Sequence, residues 1–283
     1  MPATAAAESK ERIQSTLGTF AGQPLPVAAR ALFGVLGYVS SRDERVLPIV
    51  SPEAFLGWLE AGGRLERLSS GEQEEFRASL TRLHFLFQLT DAEMKAALGQ
   101  AVQTQLFDSG ATVDGSRMES YLVFAAELAA GVASTRTVLA RLVRLFNKPL
   151  PMPALVLFRH GDTLTLGVIK RRLNLRDAAR DVLERVTLIK DIRFASPHRA
   201  HVEILFDLSL SALHAHYQPA SFVKLHEAWQ KTLDIQTLNR RFFIEIRNWF
   251  YWARLHARFP AGAAKDEGGD SESLIRLLTR LIF

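Results

Sequence analysis

The strongest chemical signal in this chain is the basic run from Lys170 to Arg185. Lys170, Arg171, Arg172, Arg176 and Arg180 are cations of the kind that neutralise backbone phosphates. Each such contact adds salt-dependent affinity for a nucleic acid. Asn174, inside the same stretch, supplies an amide that can hydrogen-bond a phosphate or a base. Helical ion pairing competes for part of the run. Arg176, Asp177, Arg180, Asp181 and Glu184 stand at spacings of three and four, which would pair them along one helix face. That use does not extend to the three consecutive cations Lys170-Arg171-Arg172.

A second set could do bond-breaking chemistry. Metal-dependent nucleases place two carboxylates and a lysine on adjacent strands, so that a divalent cation activates water beside the scissile phosphate. Asp114, Glu119 and Glu127 fall on or before one apolar stretch, and Lys170 follows on the next hairpin. Asp114, Glu127 and Lys170 are therefore the endonuclease candidates, with Mg2+ as the metal they would need. Leu128 and Ala129 follow Glu127, where a strand-borne lysine is expected. Glu119 and Glu127 equally suit the flanks of a core strand. Two histidine pairs, His198/His201 and His214/His216, have the types for a shared metal. Without cysteine or a carboxylate set at ligand spacing, surface or interface histidines explain them better.

Other chemistries lack their residues. No Gly-rich loop with a lysine could cradle a phosphate, and no Gly-rich turn follows a strand to hold a dinucleotide or S-adenosylmethionine. No Pro-Pro pair is present to build a flipped-base pocket. No Gly-x-Ser-x-Gly elbow supports a hydrolase triad.

Charge points the same way as the cation run. Residues 134–201 hold fourteen Lys/Arg against five Asp/Glu, while the whole chain carries only +5. A quarter of the chain so charged suits a polyanion partner, DNA above all, although solvated helix faces would share the pattern. Apolar residues make up 48% of the 283, enough for a real core. The absence of cysteine excludes disulfides and thiolate metal sites and fits a reducing compartment. The start lacks the apolar segment of a signal peptide, and no apolar run is long enough to span a bilayer. A soluble, cytoplasmic protein without membrane contact is expected.

The positioning elements follow from periodicity and punctuation. Residues 1–25 read as a flexible start, either disordered or a loose helix ending at Gly18. Residues 26–107 read as a helical subdomain: Ser51-Pro52 opens one helix, and Phe76, Leu80, Leu83 and Phe87 form a helical stripe. Residues 108–196 form a basic α/β core. In it, 118–128 is a buried strand, Ser134-Thr135 caps a helix, and PALVLF, a Gly161 turn and TLTLGVI make a hairpin. Residues 177–183 suggest a short helix and 185–192 a further strand. Residues 197–260 read as helices: one over 197–213, one over 222–233, and an aromatic one from Thr237 with Phe242, Ile246, Trp249 and Ala253 in its stripe. Residues 261–272 are a Gly-rich linker, and 273–283 begin an amphipathic helix that stops in mid-pattern. The expected class is α+β: mostly helical, with a small central mixed sheet (strand–helix–β-hairpin) flanked by N- and C-terminal helices.

Several phrases also carry a family likeness. PMPALVLFRHGDTLTLGVIKRRLN, RDVLERVTLIKDI, PHRAHVEILFDLSL, LHEAWQKTLD, LNRRFFIEIRNWFYWA and SLIRLLTRLIF run in order from Pro151 to Phe283. They resemble the N-terminal region of large type II restriction–modification adenine-specific DNA methyltransferases, which fuse methyltransferase and endonuclease in one chain. A weaker likeness reaches back to Met118. The resemblance implies a role in DNA modification and phage defence. It also implies that S-adenosylmethionine would bind a methyltransferase domain beyond this sequence, so no cofactor is expected here. Three functions follow as expectations. The first is a DNA-binding, non-catalytic module using Lys170, Arg171, Arg172, Asn174, Arg176 and Arg180. The second is a metal-dependent endonuclease. The third is a scaffold whose Leu274–Phe283 helix recruits the rest of a methyltransferase chain or a partner subunit.

Overall fold

The computed structural model describes residues 3–99, 112–117, 119–172, 182–257 and 269–282. The chain divides into two compact units, Met1–Gln230 and Lys231–Phe283. The first unit opens with helices α1 (Ala3–Gly18), α2 (Leu25–Val35), α3 (Pro52–Ala61) and α4 (Ser70–Ser79). Strand β1 (Leu80–Thr90) and the short helix α5 (Asp91–Ala97) follow. Next come β2 (Ser120–Leu128), helix α6 (Arg136–Asn147), β3 (Ala154–His160), β4 (Thr163–Arg172) and β5 (Val182–Arg193). Helices α7 (Arg199–Asp207), α8 (Leu210–Tyr217) and α9 (Phe222–Thr232) complete the run. The second unit holds α10 (Ile235–His256) and α11 (Gly269–Ile282).

The strands form one mixed sheet in the order β1-β2-β3-β4-β5. β2 and β3 are parallel, joined by the α6 crossover, and every other pair is antiparallel. The fold is α+β, with helices in the majority. Among the described residues no helix is long and apolar enough to cross a membrane.

Local chemistry sets the boundaries. Ser51 accepts from the Ala54 amide at 3.2 Å and Pro52 takes the first helical position of α3. Thr90 and Glu93 form a capping box at α5, and Thr135 caps α6. Gly161, at φ +57°, makes the tight turn between β3 and β4.

Both faces of the sheet are covered. On one, α3, α4 and α6 bring Phe55, Phe76 and Phe146 against Phe85 and Phe124 of β1 and β2, with ring centroids 4.8 Å apart for Phe76–Phe146 and 5.4 Å for Phe55–Phe124. On the other, Trp229 of α9 donates to the Tyr38 hydroxyl at 2.8 Å, and Tyr38 donates to the Leu208 carbonyl at 2.6 Å. Beside them the Tyr121 hydroxyl meets His226 Nδ1 at 2.8 Å. Burial pushes the Tyr38 and Tyr121 hydroxyls well above the ordinary phenol range.

The structure departs from the expected elements in six places. The stripe from Phe76 to Phe87 is not one helix: α4 ends at Ser79 and Leu80–Thr90 is an edge strand. Leu83, Phe85, Leu86, Phe87 and Leu89 are all buried, because both faces of β1 are covered and the strand shows no alternation. The first residues are not a loose start: α1 packs with α2 and α7 and buries Ile13 and Leu17. The short helix expected over 177–183 is displaced where the chain is described, since Val182 and Leu183 already belong to β5. The single helix over 197–213 is two, broken where the Ser209 hydroxyl accepts from the Ala212 amide and starts α8. Among the described side chains of α10, Ala253 is buried and Ile246 and Phe250 are half-buried, whereas Trp249 and Phe243 are exposed. α11 begins at Gly269, inside the stretch read as linker, and buries Leu274 while exposing Ile275 and Leu277.

Candidate nucleic-acid interface

The cation run sits on the part of the sheet that is only two strands wide. β3 pairs with β4 from His160↔Thr163 to Val156↔Gly167 and no further. The β4–β5 ladder continues through Lys170↔Arg185 and Arg171↔Leu183 to Arg172↔Val182. Val168 through Arg172 therefore pair with β5 alone. At Ala154, the next residue of β3 whose backbone would face β4, the Asn147 side chain takes both groups: its Oδ1 accepts from the amide at 2.7 Å and its Nδ2 donates to the carbonyl at 3.1 Å.

The root of this ribbon is firmly held. Gly167 lies under α6 so closely that a Cβ there would strike the Val143 side chain. Val168, Ile169 and Val186 are buried. The next pair changes character: Lys170 and Arg185 stand directly opposite one another and both are exposed. Directly opposed residues share a face, so two cations lie side by side, on the face away from Gly167 and α6. Like charges so placed weaken strand pairing, and they raise the local positive potential. Arg185 closes the cation run in the sequence but is not among the residues read there as phosphate contacts. Only the register makes it a neighbour of Lys170. Arg171 and Arg172 continue β4 in the ladder. Asn174, Arg176 and Arg180 lie outside the described residues.

The opposite end of the same face carries charge of another kind. Arg82, Glu127 and Arg159 align across β1, β2 and β3. Glu127 stands 3.9 Å from Arg82, and the Arg159 guanidinium lies 5.5 Å from the centre of the Phe194 ring. The signs alternate, which is the pattern that supports cross-strand pairing. His84 lies two pairs further in, opposite Ala125, and its burial pushes the imidazole below the ordinary histidine range.

The endonuclease candidates are not brought together. Asp114 adjoins the start of β2: its carbonyl accepts from Gln88 Nε2 at 2.7 Å, and the same nitrogen donates to Ser120 Oγ at 2.9 Å. Glu127 is at the far end of that strand, roughly 20 Å away at about 3.3 Å per residue. Lys170 is six positions along β4 from Leu164, which is level with Glu127 through Arg159. That is again roughly 20 Å. Asp114 and Lys170 share one end of the sheet, but Gln88 is on β1, three strands from β4, roughly 14 Å at the usual strand spacing. Asp114 has a local role: the Ser116 hydroxyl and amide donate to its carboxylate at 2.6 and 2.8 Å and hold it below the usual carboxylate range. These three residues do not fit a shared Mg2+ ion. Among the described residues no group of three His, Asp or Glu could hold a metal.

The histidine pairs resolve the same way. His198 Nδ1 accepts from the Ala200 amide at 3.2 Å and caps α7, with the His201 ring centroid 6.3 Å from its own. His214 and His216 are two apart on α8, a spacing that turns them to different sides of the helix.

Part of the positive charge on residues 134–201 is already spent within the molecule. Lys148 pairs with Glu72 at 2.7 Å and Arg141 with Glu75, tying α6 to α4. The Lys148 hydrogen bond is the main reason that the Glu72 carboxyl sits below its ordinary range. Lys190 pairs with Asp191 at 2.6 Å. These pairs are part of the structural share of the basic region.

Compared with protein-family models, with curated proteins and with solved structures, the chain matches none.

Proposed function

We propose that this chain binds DNA through the distal β4–β5 ribbon, as a non-catalytic module of a restriction–modification adenine-specific methyltransferase serving DNA modification and phage defence. The observation that carries the reading is the exposed Lys170–Arg185 pair, directly opposed across the β4–β5 ladder. Two cations side by side on one face suit a polyanion better than they suit strand pairing. Arg171 and Arg172 add charge at the next positions of β4. The methyltransferase assignment rests on the likeness of the phrases between Pro151 and Phe283.

The test is binding of a mixed-sequence duplex by the full chain, followed by fluorescence anisotropy. The reading expects binding at about 50 mM salt that weakens steeply towards 200 mM, as counterion release requires. No binding at the lower salt would sink it. An endonuclease through Asp114, Glu127 and Lys170 has lost its geometric support.

A scaffold reading keeps one supporting observation. Phe243, Trp249, Tyr251, Trp252 and Leu255 on α10, with Ile275 and Leu277 on α11, are large apolar side chains exposed to solvent. Such a patch suits a partner chain. Self-association in sedimentation that disappears in W252E/L255E would favour it. A concentration-independent monomer would count against a second copy as that partner.

A further inference from the structure

We infer that α10 pairs with α10 of a second copy of this chain, as a short parallel coiled coil. The inference rests on the scaffold reading above and names the partner. Three features of α10 carry it.

The first is a second stripe. Ile246, Phe250 and Ala253, half-buried or buried, stand four and three apart and so share one side of the helix. Within this unit α11 packs along α10, and Leu274 is its buried side chain. Ile244, Asn248, Tyr251 and Leu255 also follow one another at four, three and four. At about 3.6 residues per turn, this set lies roughly half a turn round the helix from the first. None of its members is buried: Ile244 is 40% exposed, Tyr251 57% and Leu255 73%. A helix packed on one neighbour needs one apolar stripe, and α10 has two.

The second is the polar member of that stripe. Alternate steps of four and three form the seam of a two-stranded coil, with Asn248 and Leu255 at its a positions and Ile244 and Tyr251 at its d positions. An apolar groove on an unrelated protein would leave the Asn248 amide facing carbon, an unpaired polar group. An identical helix in parallel register brings its own asparagine to the same level, where the two amides can hydrogen-bond. A single asparagine at an a position selects two strands and fixes their register.

The third is the rim. In a parallel pair each g position meets the e position five residues further on in the second helix. Arg247 stands at g and Trp252 at e, and both are exposed. The guanidinium of one copy therefore reaches the indole of the other, twice by symmetry. The His256 ring stacks on one face of that indole, with centroids 4.6 Å apart, and Trp252 is still 56% exposed. An antiparallel pair brings g to g instead, which sets Arg247 beside the second copy's Arg254. Like charges so placed disfavour that orientation.

The chain has no cysteine, so one introduced thiol reports the geometry of the full chain. Leu255→Cys is compared with His256→Cys, which is also exposed and one residue away. In the parallel coil residue 255 meets its own copy across the seam, whereas residue 256 points outward. Under mild oxidation the inference expects Leu255→Cys to form disulfide-linked dimer about tenfold faster or more, as a raised effective concentration requires. In sedimentation equilibrium the unaltered chain should associate reversibly to a dimer, and Leu255→Glu should weaken it by about tenfold or more. Asn248→Leu should strengthen it, because the asparagine specifies pairing at a cost in stability. A monomer at every concentration, with both thiols cross-linking equally slowly, overturns the inference and leaves the scaffold reading a partner of another sequence. A dimer that Leu255→Glu dissociates, yet in which the two thiols cross-link equally, overturns the parallel coil and keeps a second copy as the partner. A dimer untouched by Leu255→Glu overturns the use of this face.

Discussion

The two ends of one sheet face use arginine in opposite ways. At one end Arg82, Glu127 and Arg159 alternate in sign across three strands, beside the half-buried His84. At the other, Lys170 faces Arg185 across two strands, and both are exposed. The first arrangement helps hold strands together. The second opposes pairing at that position and is tolerated because the ribbon root is anchored by Gly167, Ile169 and Val186 under α6.

The largest expected effect falls on both ends at once. Phe124 sits between Phe55, Phe85 and Phe146 at the centre of the core. Phe124→Ala should cost about 3–5 kcal/mol in chemical denaturation, with DNA binding lost only as folding is lost. A loss of binding at full folding would instead couple the core to the site. Next, Glu127→Lys should make the alternating end resemble the ribbon. It replaces an opposite-charge neighbour by a like one, so stability should fall by about 0.2–1 kcal/mol per altered pair. DNA affinity should rise, with a salt slope steeper by about one, if sign pattern alone recruits phosphate. Unchanged affinity would mean that the narrow ribbon, and not charge alone, is what DNA recognises.

Lys170→Glu separates folding from binding at the ribbon. The cross-strand pair gains opposite signs, so stability should rise by about 0.2–1 kcal/mol while DNA affinity falls. A variant that lost both would show that Lys170 serves the fold. The smallest effect concerns His84. Its imidazole is held below the ordinary range by burial, so the folded state resists protonation. The stability it contributes is complete above about pH 6.5, and is lost as pH falls through the lower folded value. His84→Gln should flatten the loss of stability below about pH 6.5 in urea titrations. An unchanged pH profile would remove His84 from the account.

Much of the architecture was legible because short-range signals agreed. Ser51-Pro52, Thr135 and the Gly161 turn each mark their boundary by local chemistry, and the apolar runs of β3 and β4 leave little choice. β1 was not legible. Phe76, Leu80, Leu83 and Phe87 satisfy a helical period, and a strand buried on both faces has no alternation to contradict it. The break between α7 and α8 carries no Gly or Pro, only a serine whose cap becomes visible once the helix starts. At the site, Lys170-Arg171-Arg172 stood out as a run, but Arg185 needed the register. The separation of Asp114 from Glu127 was in principle readable. One precedes β2 and the other ends it, so the strand itself holds them apart.

The central claim is that the like-charged ribbon end, and not the alternating end, meets DNA. The most direct measurement is the salt slope of duplex binding for the unaltered chain, for K170A/R185A and for R82A/R159A, with thermal melts confirming that all three fold. The account predicts a slope shallower by about two for K170A/R185A, and no change for R82A/R159A. A full slope in K170A/R185A, or a loss confined to R82A/R159A, would contradict it.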